Sequence, residues 1–99
     1  ARAALQRADM SFDDMDAIKT HNPFAVNDIV FARKAEVSLQ DFNNFGCSLI
    51  WGHPQAPTAM RSIIELIEEL VVRGGGRGLF TGCAAGDSAM AIILAVDNR

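Results

Sequence analysis

The stretch LFTGCAAGDSAMAIILAV, residues 79–96, contains two neighbouring strand patterns. Residues 79–81 predict a strand, the small and turn-prone residues 82–87 predict a tight turn, and residues 89–96 predict a second strand. Two strands joined by a short turn indicate an antiparallel hairpin. Three glycines at 74–76 precede the hairpin and are expected to end a helix.

The longest helical pattern lies directly upstream and begins at Thr58, which we expect to be its N-cap. One face carries apolar residues at helical spacing, which predicts that they face the core: Ile63, Ile64, Ile67, Leu70 and Val71. Another face carries acidic residues that we expect to face water: Glu65, Glu68 and Glu69. Arg61 stands four residues before Glu65 and is expected to pair with it.

Toward the N-terminus, helical and strand patterns alternate. We predict a helix over residues 1–10, a turn over 11–14, a buried strand over 15–20 and a helix over 24–34. A turn or a single helical turn is expected over 38–42, and loops over 43–48 and 52–58. Pro23 suits the start of the second helix because its fixed φ fits the first helical turn. This alternation predicts a single α/β domain over residues 1–99, with a mixed sheet.

Composition excludes several classes of protein. The chain has 99 residues, of which 49% are apolar and 21% are charged, as in a single folded domain. Its net charge of −3 and its scattered Lys and Arg residues argue against a nucleic-acid-binding surface. No apolar run reaches the roughly 18–20 residues that a membrane-spanning helix needs.

The two cysteines also limit the possible classes. Cys47 and Cys83 are too few for a disulfide framework, and they lack the Cys/His spacing of a metal site. The first residues show no signal-peptide layout. We therefore expect a reduced protein without a bound metal, cytoplasmic or in an organelle matrix and not secreted.

The glycine-rich stretch over residues 74–78 invites comparison with a phosphate-binding loop. Such a loop follows a strand and opens a helix, whereas these glycines follow a helix and precede a strand. The order of elements therefore predicts a helix end and a flexible turn.

Three side chains are candidates for chemistry. His53 lies in a constrained loop between a glycine and a proline, and His21 ends a predicted strand, where the sites of α/β proteins gather. Cys83 lies among small residues that leave room for a substrate. The simpler alternatives are surface histidines and a buried structural cysteine, and Cys47 is expected to be structural. Two histidines and a cysteine without a carboxylate pair suit thioester or Cys–His chemistry.

Four segments in order resemble the C-terminal domain of the thiolases, and the resemblance covers nearly the whole chain. The segments are HNPFA at 21–25, NNFGCS at 43–48, GHP at 52–54 and GCAAGD at 82–87. The resemblance implies a thiolase-like layered α/β fold with a mixed five-stranded sheet flanked by helices. It also implies an acyl-CoA C-acyltransferase that cleaves 3-oxoacyl-CoA or condenses acetyl-CoA, with coenzyme A thioesters as substrates and no permanently bound cofactor.

The resemblance assigns roles to individual residues. His53 would draw the proton from the nucleophilic cysteine and help bind the thioester carbonyl oxygen, and Cys83 would exchange a proton with the α-carbon of the attacking acyl-CoA. His21, which stands where sterol-carrier-type thiolases carry His, would help hold an oxyanion-binding water. Further substrate and oxyanion contacts are expected from the backbone of three small residues: Ala85, Gly52 and Gly86.

The nucleophilic cysteine of thiolases belongs to an N-terminal domain, and no part of these 99 residues resembles it. The first helical pattern also lacks a capping residue. We therefore expect a piece of a longer enzyme, whose partner is that N-terminal domain and which forms a homo-oligomer at full length. The 99-residue chain alone is expected to be inactive.

Two alternatives stay open. Thiolases commonly carry glycine where this chain has Ala56, Ala59 and Ala85, and the added methyl groups would suit a non-catalytic domain that binds acyl-CoA or a protein partner. A condensing enzyme of the ketoacyl-synthase type shares the architecture. Such enzymes generally carry a second histidine where Cys83 stands.

Overall fold

The computed structural model describes residues 1–83 and 88–97, and the helices and strands alternate as predicted. In chain order the elements are α1 (Arg2–Ala8), β1 (Ala17–Thr20), α2 (Ala25–Ala35), α3 (Ser48–Trp51), α4 (Thr58–Val72), β2 (Gly76–Cys83) and β3 (Ala89–Val96). Single 3₁₀ turns lie at Phe12–Asp14 and Leu39–Asp41. The four-residue helix α3 was missed, because it lies between two segments predicted as loops, 43–48 and 52–58.

The strands form one mixed sheet in the order β1-β2-β3. β1 pairs with β2 in parallel, with Ile18 opposite Leu79 and Thr20 opposite Thr81. β2 pairs with β3 in the antiparallel sense along its whole length. The predicted hairpin and mixed sheet are therefore confirmed, although the described residues contribute three strands to the sheet rather than five.

The first strand of the hairpin is longer than its apolar run of residues 79–81 suggested. β2 begins at Gly76, before that run, and also includes Gly82 and Cys83 after it. These two residues lie on the strand and pair with β3, whereas the sequence placed them in the turn. Residues 84–87, the rest of the predicted turn, lie outside the described residues.

Helix α4 covers one face of the sheet. Its side chains Leu66 and Leu70 are fully buried and pack against Ala17 and Phe80. Gly78 permits this close approach, because a Cβ there would lie 2.8 Å from Leu66 and 2.9 Å from Leu70. Helix α4 therefore packs directly against the sheet at Gly78.

The opposite face of the sheet packs against α2 and the segments around it. Ile18, Phe42 and Leu79 are buried on this side. Phe31 of α2 makes edge-to-face contacts with Phe12 and Phe42, with ring centroids 5.9 and 5.2 Å apart. Helices thus cover both faces, which confirms the predicted α/β layering.

The prediction of which face of α4 is buried was wrong in part. Leu70 is buried as expected, but three members of the predicted apolar stripe are exposed: Ile64, Ile67 and Val71. Glu69 was expected to face water and is buried instead. Arg73 and Asn44 donate hydrogen bonds to its Oε1, at 2.9 and 3.3 Å, which offsets part of the cost of burial, while Oε2 has no hydrogen-bond partner among the described residues.

The two ends of α4 differ in how well they were predicted. Thr58 is not the N-cap; that position is held by Pro57, without a capping side chain. At the other end, the three glycines 74–76 all have positive φ, from 90° to 140°. The N–H of Gly75 donates to the carbonyl of Leu70 at 2.8 Å. The predicted helix end and turn are confirmed, and this is the order that excludes a phosphate loop.

Candidate active site

The candidate site lies at the carboxyl ends of β1 and β2. Because these strands are parallel and pair Thr20 with Thr81, the residues that follow them meet at one edge of the sheet. The N–H of His21 donates to the carbonyl of Thr81 at 2.9 Å. From there the Nδ1 atom of His21 lies 3.2 Å from Sγ of Cys83. We refer to this edge, with His21, His53 and Cys83, as the reactive edge.

Gly82 allows His21 to lie this close to β2. A Cβ at Gly82 would lie 2.5 Å from the Cβ of His21, which is closer than real side chains come. Residue 82 is therefore a glycine for a steric reason: there is no space for a side chain beside His21. Any larger residue would push the imidazole away from Cys83.

His53 reaches the reactive edge from the loop that follows α3. Helix α3 ends at Gly52, whose φ of 92° turns the chain into the loop. Nδ1 of His53 lies 3.2 Å from Nε2 of His21, and the ring centroids are 4.4 Å apart. Nδ1 also lies 2.9 Å from Oγ1 of Thr58, the residue expected to cap α4.

The backbone of Gly52 is engaged in holding this loop. Its N–H donates to the carbonyl of Ser48 at 2.8 Å, and its carbonyl accepts from Nη1 of Arg61 at 3.1 Å. Gly52 therefore positions His53. A direct contact of Gly52 with substrate stays a prediction, and the predicted contacts of Ala85 and Gly86 fall outside the described residues.

Exposure separates the two cysteines. Cys83 is exposed and Cys47 is buried, and both are free thiols. The alternative that Cys83 is a buried structural cysteine is therefore wrong, while Cys47 has the buried position expected of a structural residue. His53 is exposed and His21 is half-buried. All three candidate side chains can thus reach a ligand.

The local environment favours the neutral form of His21. Burial lowers the pKa of His21 below its ordinary value of 6.5, and the neighbouring His53 and Arg61 lower this pKa further. A neutral imidazole offers one N–H donor and one acceptor. His21 can therefore donate at one ring nitrogen and accept at the other.

A cavity of about 530 Å³ opens at the reactive edge. The three candidate side chains line it together with an apolar wall made of Ile63, Phe80, Met90 and Ile92. A few polar groups beside an apolar wall are typical of a small-molecule site. Within residues 1–83 and 88–97, no group of three or more His, Cys, Asp or Glu could hold a metal ion, and no helix is long and apolar enough to cross a bilayer.

Polar side chains are buried directly behind the reactive edge. We call this group the buried polar layer: Lys19, Thr20, Asn22, Ser48 and Thr58. Asn22 accepts the N–H of Ser48 at 3.0 Å and donates to Asp28 of α2. Thr20 donates to the same carboxylate at 2.7 Å. These bonds join the end of β1, helix α2 and the start of α3.

Lys19 connects this layer to α4. Its Nζ lies 2.8 Å from Oε2 of Glu65 and donates to the carbonyl of Gly46. Glu65 also faces Nε of Arg61 at 3.4 Å, which confirms the predicted pair. Arg61 in turn donates to the carbonyl of Gly52, next to His53. A line of charges therefore runs from the sheet to the loop of His53.

The sequence named the three candidate residues but missed the side chains that hold them in place. A lysine inside a strand predicted to be buried was a usable signal, because a buried ammonium needs a partner. The role of Thr58 had no such signal, since a threonine before a helix is more often a cap. Asn22 precedes a proline and resembled a turn residue.

Comparison with known proteins identifies relatives. The family described as "Thiolase, C-terminal domain" matches residues 1–96. A 3-ketoacyl-CoA thiolase of Shewanella baltica is 39% identical over 95% of this chain and 26% of its own length. This chain thus spans about a quarter of that relative.

Solved structures share the fold. The human mitochondrial 3-ketoacyl-CoA thiolase in complex with CoA is 28% identical, with a TM-score of 0.89 over 95% of this chain and 24% of that one. The peroxisomal 3-ketoacyl-CoA thiolase of Saccharomyces cerevisiae is 21% identical, with a TM-score of 0.88 over 97% and 27%. That protein is described as a five-layered structure built from two core domains of identical topology.

Proposed function

This chain belongs to the thiolase family as a C-terminal domain, and from that membership we propose that it serves an acyl-CoA C-acyltransferase. The proposed reaction is thiolytic cleavage of a 3-oxoacyl-CoA, or Claisen condensation in the reverse direction. One observation carries the proposal: Cys83, His21 and His53 lie in hydrogen-bond contact where an apolar-walled cavity opens. The reaction needs an acid–base group near the α-carbon and donors for the oxygen charge, and these side chains offer both.

Each residue has a proposed role. Cys83 exchanges the proton of the α-carbon, and His53 draws the proton from the nucleophilic cysteine and helps bind the thioester oxygen. His21 helps hold an oxyanion-binding water, the role that the resemblance to the sterol-carrier-type thiolases implies. The exposure of Cys83 and His53 supports these roles, because reacting groups must meet the substrate. The predicted donor at Ala85 belongs to the same proposal.

Coenzyme A thioesters are the proposed substrates. The structural relative that binds CoA supports this choice. Thiols and imidazoles can carry out the proton transfers of the proposed reaction, so the proposal includes no permanently bound cofactor. The free cysteines are compatible with an intracellular location, which stays a prediction.

A second domain is the proposed partner. Four side chains of α4 recur at helical spacing and are exposed: Met60, Ile64, Ile67 and Val71. An apolar stripe of this kind on a helix needs a cover. We propose that it packs against an N-terminal core domain carrying the nucleophilic cysteine, as the two-domain architecture of the yeast relative suggests. A homo-oligomer of the full-length protein stays a prediction.

The partner proposal can be tested with charge substitutions. In the full-length protein, Ile64→Glu should lower the urea midpoint, because it puts a carboxylate into the covered stripe. Val72→Glu is the matched control, since Val72 is also exposed but lies outside the stripe. Equal urea midpoints for the two variants would argue against the proposal that the N-terminal domain covers this stripe of α4.

A non-catalytic domain is the competing function. Ala59 is among the residues that line the cavity, and a methyl group that leaves less room for substrate would favour this alternative. The exposed thiol in contact with an imidazole opposes this alternative, because binding alone needs no such pair.

A thiolysis assay decides between the two functions. The full-length product would be assayed with acetoacetyl-CoA and a longer 3-oxoacyl-CoA, beside Cys83→Ala and the control Cys47→Ala. We expect turnover that only the Cys83 substitution abolishes. A wild-type protein that binds coenzyme A and turns over neither substrate would support the binding domain instead.

A further inference from the structure

One imidazole contacts both other members of the reactive edge. Nδ1 of His21 lies 3.2 Å from Sγ of Cys83, and Nε2 of the same ring lies 3.2 Å from Nδ1 of His53. Both ring nitrogens of His21 are therefore directed at groups to which the proposed function gives acid–base work. In this geometry neither nitrogen is left for an oxyanion-binding water, so the inference gives His21 a different role from the one proposed above. Cys83, His21 and His53 thus form a continuous chain of groups that can exchange protons, which we call the proton line.

A neutral imidazole in such a line can transfer a proton without becoming charged overall. It accepts a proton at one nitrogen while it releases the proton of the other nitrogen, so only its tautomer changes. His21 suits this use because burial, His53 and Arg61 hold its pKa low and favour its neutral form. The groups that face it are Cys83, His53 and the guanidinium of Arg61.

We propose that His21 conducts a proton between Cys83 and His53, so that the two residues act as one acid–base unit. The inference rests on the proposed function for its use in catalysis. In the transfer, the S–H bond of Cys83 breaks and an Nδ1–H bond forms on His21. At the same time the Nε2–H bond of His21 breaks and an Nδ1–H bond forms on His53. Two protons move in concert, which amounts to the net transfer of one proton from Cys83 to His53. No electrons are lost or gained, and a thiolate and an imidazolium result.

Thr58 stabilises the end state of this transfer. Its Oγ1 lies 2.9 Å from Nδ1 of His53 and can share, with Nε2 of His21, the one hydrogen that this nitrogen carries after the transfer. Thr58 is buried, so water competes little for this bond. Thr58 therefore adds a second acceptor for that hydrogen at the end of the line opposite the thiol.

The transfer predicts that His53 controls the reactivity of a thiol that it does not contact. The experiment measures the rate of Cys83 alkylation by iodoacetamide at neutral pH in the full-length protein, with the modified peptide identified by mass spectrometry. The four proteins are the wild type, His53→Asn, His21→Asn and the double variant. Asparagine keeps hydrogen-bonding groups at each position but cannot take up a proton.

We expect His53→Asn to slow alkylation of Cys83 by roughly five-fold when His21 is present, because asparagine cannot take up the proton and less Cys83 is then thiolate. An effect of this size corresponds to losing about one net hydrogen bond in the line. In the His21→Asn background the same substitution should have no effect. An equal effect in both backgrounds, or no effect in either, would overturn the proposal. Alkylation of the buried Cys47 in the same samples reports whether a variant has opened the fold.

The measurement is separate from turnover. A protein that lacks thiolase activity but shows the His21-dependent effect on Cys83 keeps the proton line and loses the proposed function. A protein with thiolase activity and no such effect keeps the function and loses the proton line.

Discussion

The reactive edge and the buried polar layer are adjacent in space but differ in their exposure to water. Cys83 and His53 are exposed and contact few buried groups, whereas Lys19 and Asn22 have no accessible surface. Buried polar groups are costly unless they are paired, and these are paired. Exposed hydrogen bonds contribute little to stability. The buried polar layer therefore fixes the geometry of the site, while the side chains of the reactive edge stay accessible to a ligand.

The largest expected effect tests the reactive edge. His53→Asn in the full-length protein should lower kcat for thiolysis by about 10²–10⁴-fold, the usual contribution of a positioned acid–base group. Its urea midpoint should stay close to that of the wild type, because the side chain is exposed. A midpoint that falls together with kcat would show that the edge also carries stability.

The next effect tests the buried polar layer. Lys19→Met should destabilise the protein by roughly 3–5 kcal/mol, because it leaves the Glu65 carboxylate without its buried partner. Urea unfolding measures the loss. The matched control is Lys34→Met, an exposed lysine in the last turn of α2, which should change stability by less than about 0.5 kcal/mol. Similar losses in both variants would contradict the distinction between the two regions.

A smaller effect is expected where the two regions meet. Gly82→Ala brings a methyl group to 2.5 Å from the Cβ of His21 and should displace the ring. We expect kcat for thiolysis to fall by about ten-fold or more, since displacements near 1 Å are costly in catalysis. Gly74→Ala is the comparison: it strains a turn with φ of 90° remote from the edge, so it should lower stability and spare kcat.

The smallest effect is a pH dependence of stability that belongs to His21. Its folded pKa lies below the ordinary 6.5, so below that pH the unfolded chain binds the proton more readily. The stability contributed by neutral His21 is present above pH 6.5 and is lost as the pH falls through the lowered folded pKa. His21→Asn should therefore reduce the difference in urea midpoint between about pH 7.5 and pH 5.5. An unchanged difference would place that pH dependence elsewhere.

Local patterns predicted most elements of the fold. The bounds of β3 and the helix end at residues 74–76 follow from apolar runs and glycines, which act within a few residues. The buried face of α4 could not be predicted reliably, because its apolar residues extend around more than half of the helix. Which of them meet the sheet depends on Gly78, a residue on another element.

The candidate site was predictable in its members and not in its contacts. His21, His53 and Cys83 were identified by their motifs, but each lies on a different segment. Their contacts depend on the parallel pairing of β1 with β2, which no local pattern specifies. The hydrogen bond from Thr58 to His53 likewise depends on how the loop folds back onto α4.

The parallel pairing of β1 with β2 has a consequence for the order of folding. The contact between Cys83 and His21 joins residues 62 positions apart, and the contact between His21 and His53 joins residues 32 apart. Closing such long loops costs entropy before any contact compensates for it, whereas the β2–β3 hairpin and α4 form from neighbouring residues. We therefore expect the hairpin to form before the parallel pairing. In a chain folded only that far, Cys83 has no imidazole beside it, and its contact with His21 forms when the long loop between them closes.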